Sequence, residues 1–159
     1  MKVLILQGSP RANGNTAWMA EEFKKAAEAA GHEVTLVNVA KKKIAGCLAC
    51  EYCHNKGNGA CIQKDDMQEL YPLMSEAEAL ILAGPIYYFT LSAQIQAPIQ
   101  RMYCVNAPAK VKKMALLMSS YRMEWRLLTF ASSPQLFAHH VYVQHNLSDF
   151  FNTTKQIRL

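Results

Sequence analysis

The chain has 159 residues, of which 51% are apolar and 18% charged. That balance excludes an intrinsically disordered chain, and the longest apolar runs, Ala79–Ala83 and Met114–Met118, are too short to cross a bilayer. Lys and Arg number 17 against 12 Asp and Glu, and the excess falls late: residues 1–78 carry 9 basic and 10 acidic side chains, residues 79–159 carry 8 and 2.

The basic clusters, Lys41–Lys43 and Lys110, Lys112 and Lys113, lack the interleaved aromatics of a strand-binding surface, so they read as solvated loop lysines and no nucleic-acid partner is expected. This length fits one domain, 1–159, with little left over. The N-terminal apolar run is four residues long, with no small-residue cleavage site after it. It therefore reads as a strand, and the cytoplasm is the expected compartment.

Lys2–Gln7 is a continuous apolar run closed by Gly8-Ser9-Pro10, the mark of a strand buried on both faces. From Thr16 to Ala30, Trp18, Met19, Phe23, Ala26, Ala27 and Ala30 recur at helical spacing, with Asn13 or Asn15 to cap the start and Gly31 to stop it. Glu33–Val39 alternates as a second strand, and a long loop follows over roughly Lys41 to Gln63. Asp65 or Asp66 then caps a helix running to about Ser75, with Met67, Leu70 and Met74 facing inward. Ala79–Ala83 is a third strand ended by Gly84-Pro85. Ser92–Cys104 is helical with a kink expected at Pro98, and Lys113–Ser119 is a fourth strand. A fifth strand is read at His139–Gln144, with a soft helix from Ser148.

This alternation is the grammar of a parallel sheet with helices on both faces. Such sheets bind ligands beyond the carboxyl ends of their strands. The loops Gly8–Asn15, Gly84–Phe89 and Ser119–Arg122 should therefore share one edge. In the first of them, glycines, small polar side chains and the cation Arg11 precede a helix start, a combination suited to an anion. There is no Gly-x-Gly-x-x-Gly and no Gly-Lys-Ser/Thr, which disfavours a dinucleotide Rossmann domain and a P-loop NTPase. In the second, Tyr87, Tyr88 and Phe89 follow Pro85. Three successive rings cannot all point inward, so at least one should line a cleft or a subunit contact.

Four of the five cysteines stand as Cys47-x2-Cys50-x2-Cys53-x7-Cys61. Four thiolates at short spacing are enough for a [4Fe–4S] cluster. Redox thiols or a reversible disulfide are the competing reading, and structural zinc, which prefers separated pairs, fits less well. Cys104 stands apart and reads as a buried small hydrophobe, and His54 as an exposed loop residue.

Gly8-Ser9-Pro10-Arg11 through Gly14-Asn15-Thr16, the cysteine run, Asp65-Asp66-Met67, Gly84-Pro85-Ile86-Tyr87-Tyr88 and Leu91-Ser92-Ala93-Gln94 together resemble the flavodoxin-like NAD(P)H-dependent FMN reductases, in the branch that includes the iron–sulfur flavoproteins. The resemblance covers residues 1–118. It implies a three-layer α/β/α fold with a parallel five-stranded sheet in the order 2-1-3-4-5. It also implies that Ser9, Arg11, Asn13, Asn15 and Thr16 hold the FMN phosphate, and that Pro85, Ile86, Tyr87, Tyr88 and Phe89, with Ser119 beside them, border the isoalloxazine. Cys47, Cys50, Cys53 and Cys61 would be a [4Fe–4S] site. The implied activity is FMN-dependent transfer of electrons from NAD(P)H to a small acceptor such as a flavin, quinone, nitro or azo compound, by a homodimer. The alternative is a relay of single electrons to a ferredoxin-like protein. No catalytic side chain is expected, since the chemistry belongs to the cofactor. After Met118 the motifs lapse, leaving a diverged fifth βα unit or an altered end as competing explanations. Gln96 and Gln100 stand where the family often has Lys and Asp, which puts oligomer contacts there in doubt.

Overall fold

The computed structural model describes residues 1–105 and 110–120. Four strands run parallel: β1 (Lys2–Gln7), β2 (Glu33–Asn38), β3 (Ala79–Tyr87) and β5 (Lys113–Ser119), in the spatial order β2-β1-β3-β5. A two-residue strand, β4 (Thr90–Leu91), folds back antiparallel on the end of β3. The four parallel strands reproduce the first four places of the expected order. The expected fifth strand at His139–Gln144 and the helix from Ser148 lie outside the described residues.

Strand alternation divides the core in two. Leu4, Leu6, Leu80, Leu82 and Leu116 face one side, where they meet Met67, Leu70, Met74 and Ile95. Val3, Ile5, Ala79, Ile81, Ala83, Ala115 and Leu117 face the other, under Ala20, Phe23 and Ala27 of α1 (Asn15–Ala29). Such near-complete burial on both faces explains why β1 and β3 are apolar without a break. Each fully buried Leu or Ile contributes about 1.5–3 kcal/mol.

The inner stripe of α1 is Thr16, Ala20, Phe23 and Ala27, and Trp18, expected to face inward, is 66% exposed. Trp18 stands two residues from both Thr16 and Ala20, about 200° round the helix from that stripe, and so faces out. The start of α1 also differs from expectation: Gly14 is the cap residue, and no side chain caps the helix. Its end follows the expectation closely. Gly31 at φ +80° donates to Glu28 O (2.9 Å), and His32 N–H reaches Ala27 O (3.1 Å), a Schellman closure.

On the opposite layer, the Asp65 side chain caps a 3-10 turn over Asp66–Glu69 that leads into α3 (Leu70–Glu76). The helix α4 (Ala93–Arg101) contains Pro98 and passes into a 3-10 turn at Met102–Val105. Strand β3 does not stop at Gly84-Pro85 as expected. β1 ends its pairing at Ala83, so Pro85 sits where one side of β3 is open, and its carbonyl accepts Ser92 N–H (3.1 Å). Among the described residues no helix is long and apolar enough to cross a membrane.

Candidate functional site

Parallel strands send every following loop to the same sheet edge. At its centre, Gly8 N–H donates to Ala83 O (2.7 Å), and Ser92 Oγ donates to Gly8 O (2.7 Å). A Cβ on Gly8 would stand 2.5 Å from Ile95 Cβ, so only glycine lets the first loop pass over the start of α4. Pro85 lies opposite Ser119 in the β3–β5 register, and the Ser119 hydroxyl shares a 2.7 Å hydrogen bond with Thr16 Oγ1. The first two expected loops meet, and Ser119 joins them; Tyr121 and Arg122 of the third lie outside the described residues.

Within the first loop the predicted residues divide. Ser9 is buried, and its hydroxyl accepts Arg11 N–H (3.2 Å), bracing the turn from inside. Thr16 is buried at the helix start, whereas Arg11, Asn13 and Asn15 are exposed. The first amides of α1 have no intrahelical acceptor, and no acidic residue occupies its first turn. Arg11 forms no ion pair among the described residues. Uncompensated donors and a free cation thus sit together, the polarity that an anionic phosphate needs. Gln7 is buried, with Nε2 donating to Ser9 O (3.3 Å) and Oε1 without a hydrogen-bond partner among the described residues. The donors and the cation of this loop fit the phosphate of a phosphorylated ligand.

At the second loop, Tyr88 (φ 47°) and Phe89 (φ 71°) form a two-residue turn between β3 and β4, with Tyr87 opposite Thr90 and Ile86 opposite Leu91. A left-handed pair normally calls for Asn-Gly, so two aromatics there are strained. Tyr87, Tyr88 and Phe89 are 43%, 93% and 49% exposed, and the last two rings meet edge to face at 5.2 Å. All three point outward, more than the sequence required. Flat apolar faces of this kind can receive a planar ring. The hairpin pairs the backbone of Ile86 and Tyr87 with that of Leu91 and Thr90.

The cysteine loop follows β2 from the same edge. Cys47, Cys50, Cys53 and Cys61 line one hollow, joined by Cys104, which does not stand apart as expected. Burial pushes the Cys104 thiol up, and it donates to Gly59 O (3.1 Å). Left-handed Ala49 and Glu51 tighten the loop, and Ala49 N–H donates to Cys47 Sγ (3.4 Å). No three His, Cys, Asp or Glu among the described residues are placed to hold a single metal ion. A [4Fe–4S] cube would instead bind each thiolate through a separate iron, and the four cysteines of the run share one hollow.

His54 is exposed but not idle: Nε2 donates to Tyr103 O (3.0 Å), and the two rings meet at 4.5 Å. Tyr103 Oη in turn donates to Glu51 (2.9 Å). Sequence reasoning missed Tyr103 and Arg101 as partners of this loop. Only the position of a charged residue at the inward end of an apolar helix hinted at the second.

Sheet order, helices on both faces and loops converging on the carboxyl edge define a flavodoxin-like α/β protein. The sequence matches the model of the NADPH-dependent FMN reductase family over residues 1–148, and the chain belongs to that family. The match runs thirty residues past Met118, where the motif resemblance stops. An iron–sulfur flavoprotein of Archaeoglobus fulgidus is 43% identical over 102 residues, covering 64% of this chain and 46% of that protein. One of Methanocaldococcus jannaschii is 36% identical over 101 residues, covering 64% and 51%. The chain thus spans about half the length of the curated relatives it matches. An NAD(P)H:quinone oxidoreductase from Methanothermobacter marburgensis shares the fold, with a TM-score of 0.59 at 18% identity over 76% of this chain and 64% of that one.

Proposed function

We propose that the protein is an FMN-dependent oxidoreductase that moves electrons from NAD(P)H to a small acceptor such as a flavin, quinone, nitro or azo compound. The observation that carries this reading is the convergence of the Gly8–Thr16 loop, the Pro85–Phe89 corner and Ser119 on one sheet edge. Arg11, Asn13, Asn15 and the opening amides of α1 hold the phosphate, while Ser9 and Thr16 fix the loop that presents them. Pro85, Ile86, Tyr87, Tyr88 and Phe89 border the ring. Bound FMN supplies the hydride and electron chemistry. The exposed rings leave one side of that corner for a second copy, consistent with a homodimer, and the cytoplasm is the compartment proposed.

A second reading is favoured by the hollow that gathers Cys47, Cys50, Cys53 and Cys61, and by relatives named iron–sulfur flavoproteins. In it, a [4Fe–4S] cluster there lets the protein pass single electrons to a ferredoxin-like partner. The visible spectrum of anaerobically purified protein, with iron and sulfide analysis, separates the two. Flavin bands without iron support the reductase alone, and an added broad absorption near ~400 nm supports the cluster. Failure to bind FMN on titration overturns both.

A further inference from the structure

Only one charged side chain is buried among the described residues: Arg101, 1% exposed at the end of α4. Its guanidinium forks onto Asp65 (Nη1 to Oδ2 2.7 Å, Nη2 to Oδ1 3.1 Å). Nη1 also donates to Ala45 O (3.1 Å), and Nε to Tyr71 Oη (3.2 Å). Asp65 in turn accepts Ala45 N–H (3.0 Å) and Met67 N–H (3.2 Å).

Ala45 lies just before Cys47, and Asp65 just after Cys61. This network therefore clasps the neck of the cysteine loop. A second tier of bonds continues it: Lys43 N–H to Asp66 Oδ2 (2.7 Å), Asp66 N–H to Lys43 O (3.2 Å) and Gln63 Nε2 to Gly46 O (3.1 Å).

The pair is also oriented. Arg101 lines the hollow with the five cysteines, and Asp65 does not, so of the two it is the arginine that borders the cysteines. For stability alone a buried ion pair is a poor device, because apolar residues of equal volume serve as well. A fixed cation beside a set of thiolates has a use there.

We propose that Arg101 is the positioning residue of the cysteine centre, closing the neck of the loop before the centre is loaded and setting a positive charge against it. This rests on the reading that Cys47, Cys50, Cys53 and Cys61 hold a cluster. Closing the neck lowers the entropy cost of gathering four sulfurs. A cluster on four thiolates is anionic and gains a further negative charge on reduction, so the neighbouring guanidinium raises its reduction potential.

The test compares full-length wild type, R101K and R101Q, loaded with FMN and treated anaerobically with ferrous iron and sulfide. Hydrogen exchange over residues 45–67 before cluster loading reads the clasp. Iron and sulfide content and the cluster's midpoint potential read the rest. Both variants should exchange roughly tenfold or more faster at the neck, with β1 unchanged. R101Q should load less iron and show a lower potential. R101K, which keeps the charge without the fork, should hold the wild-type potential, and it keeps the test readable if R101Q fails to fold. Wild-type exchange and wild-type potential in R101Q overturn the proposal. If the wild type takes up no iron or sulfide, the cluster reading fails and the charge role falls with it. Exchange then decides the clasp: faster in R101Q, it stands; unchanged, it falls too.

Discussion

The phosphate loop and the cysteine loop leave the same sheet edge and are built in opposite ways. The first is fixed by backbone and close packing: Gly8 is bonded to β3 and pressed against Ile95, and Thr16 is tied to Ser119. The second contains one four-residue helix, α2 (Tyr52–Asn55), and is held at its neck by Asp65 and Arg101 and farther out by Tyr103 and Cys104. A loop fixed by its sheet has its shape before any ligand arrives. A loop fixed by a few side chains can be undone by losing one of them, while its neighbour a strand away is untouched.

The sharpest way to test that separation is Arg11→Glu. A charge-assisted bond contributes about 1.5–3 kcal/mol, and a carboxylate facing the phosphate adds repulsion. FMN affinity should fall on the order of 100-fold or more, read by flavin fluorescence titration. Hydrogen exchange in the cysteine loop should not change. An unaltered affinity removes the phosphate from this loop.

Gly8→Ala attacks the same loop through packing. The new methyl meets Ile95 Cβ at 2.5 Å, and neither carbon can swing away because each is bonded directly to its backbone. Overpacking of this kind costs about 1–3 kcal/mol. The thermal midpoint should drop, and FMN affinity with it, because the Ser92 contact to Gly8 must shift. A variant with wild-type stability shows that the loop is softer than the sheet beneath it, and the contrast between the loops dissolves.

That contrast also explains what could be read from the chain alone. Regular spacing gave away β1, β2, β5 and the body of α1, because burial on a repeating element writes itself as period and composition. The outward turn of Trp18 was legible once the stripe was phased: it stands two residues from both Thr16 and Ala20, on the far side of the helix from Phe23 and Ala27. The extension of β3 through Pro85 depends on where β1 stops, a fact about a distant strand. In the site, glycines, Arg11 and the cysteine spacing were visible as local motifs. The Thr16–Ser119, Cys104–Gly59 and Arg101–Asp65 contacts join residues 103, 45 and 36 positions apart, and no periodicity encodes them.

A smaller effect is expected at the aromatic turn. Tyr88 holds φ 47°, a conformation that costs a non-glycine residue about 1–2 kcal/mol, and it is 93% exposed, so little burial is lost on removing it. Tyr88→Gly should raise the thermal midpoint while weakening FMN binding. Stability that rises with affinity unchanged places the flavin ring elsewhere than this corner.

The smallest effect at neutral pH concerns the clasp itself. Burial acts to raise the pKa of Asp65, but hydrogen bonds from Arg101 and from the Ala45 and Met67 amides outweigh it, and the carboxyl is held below the ordinary aspartate range. A depressed carboxyl stabilises the folded state fully above its unfolded value and loses that contribution as pH falls through the folded one. Exchange-derived protection at Ala45 and Met67 should therefore be level from neutral pH down to about 4 and collapse below it, ahead of the amides of β1. In R101Q the carboxyl loses its main counter-charge and burial is left to dominate, so the collapse should begin at a higher pH. If the neck and β1 lose protection together in both proteins, the cysteine loop is held by the sheet after all, and the two loops differ in sequence but not in construction.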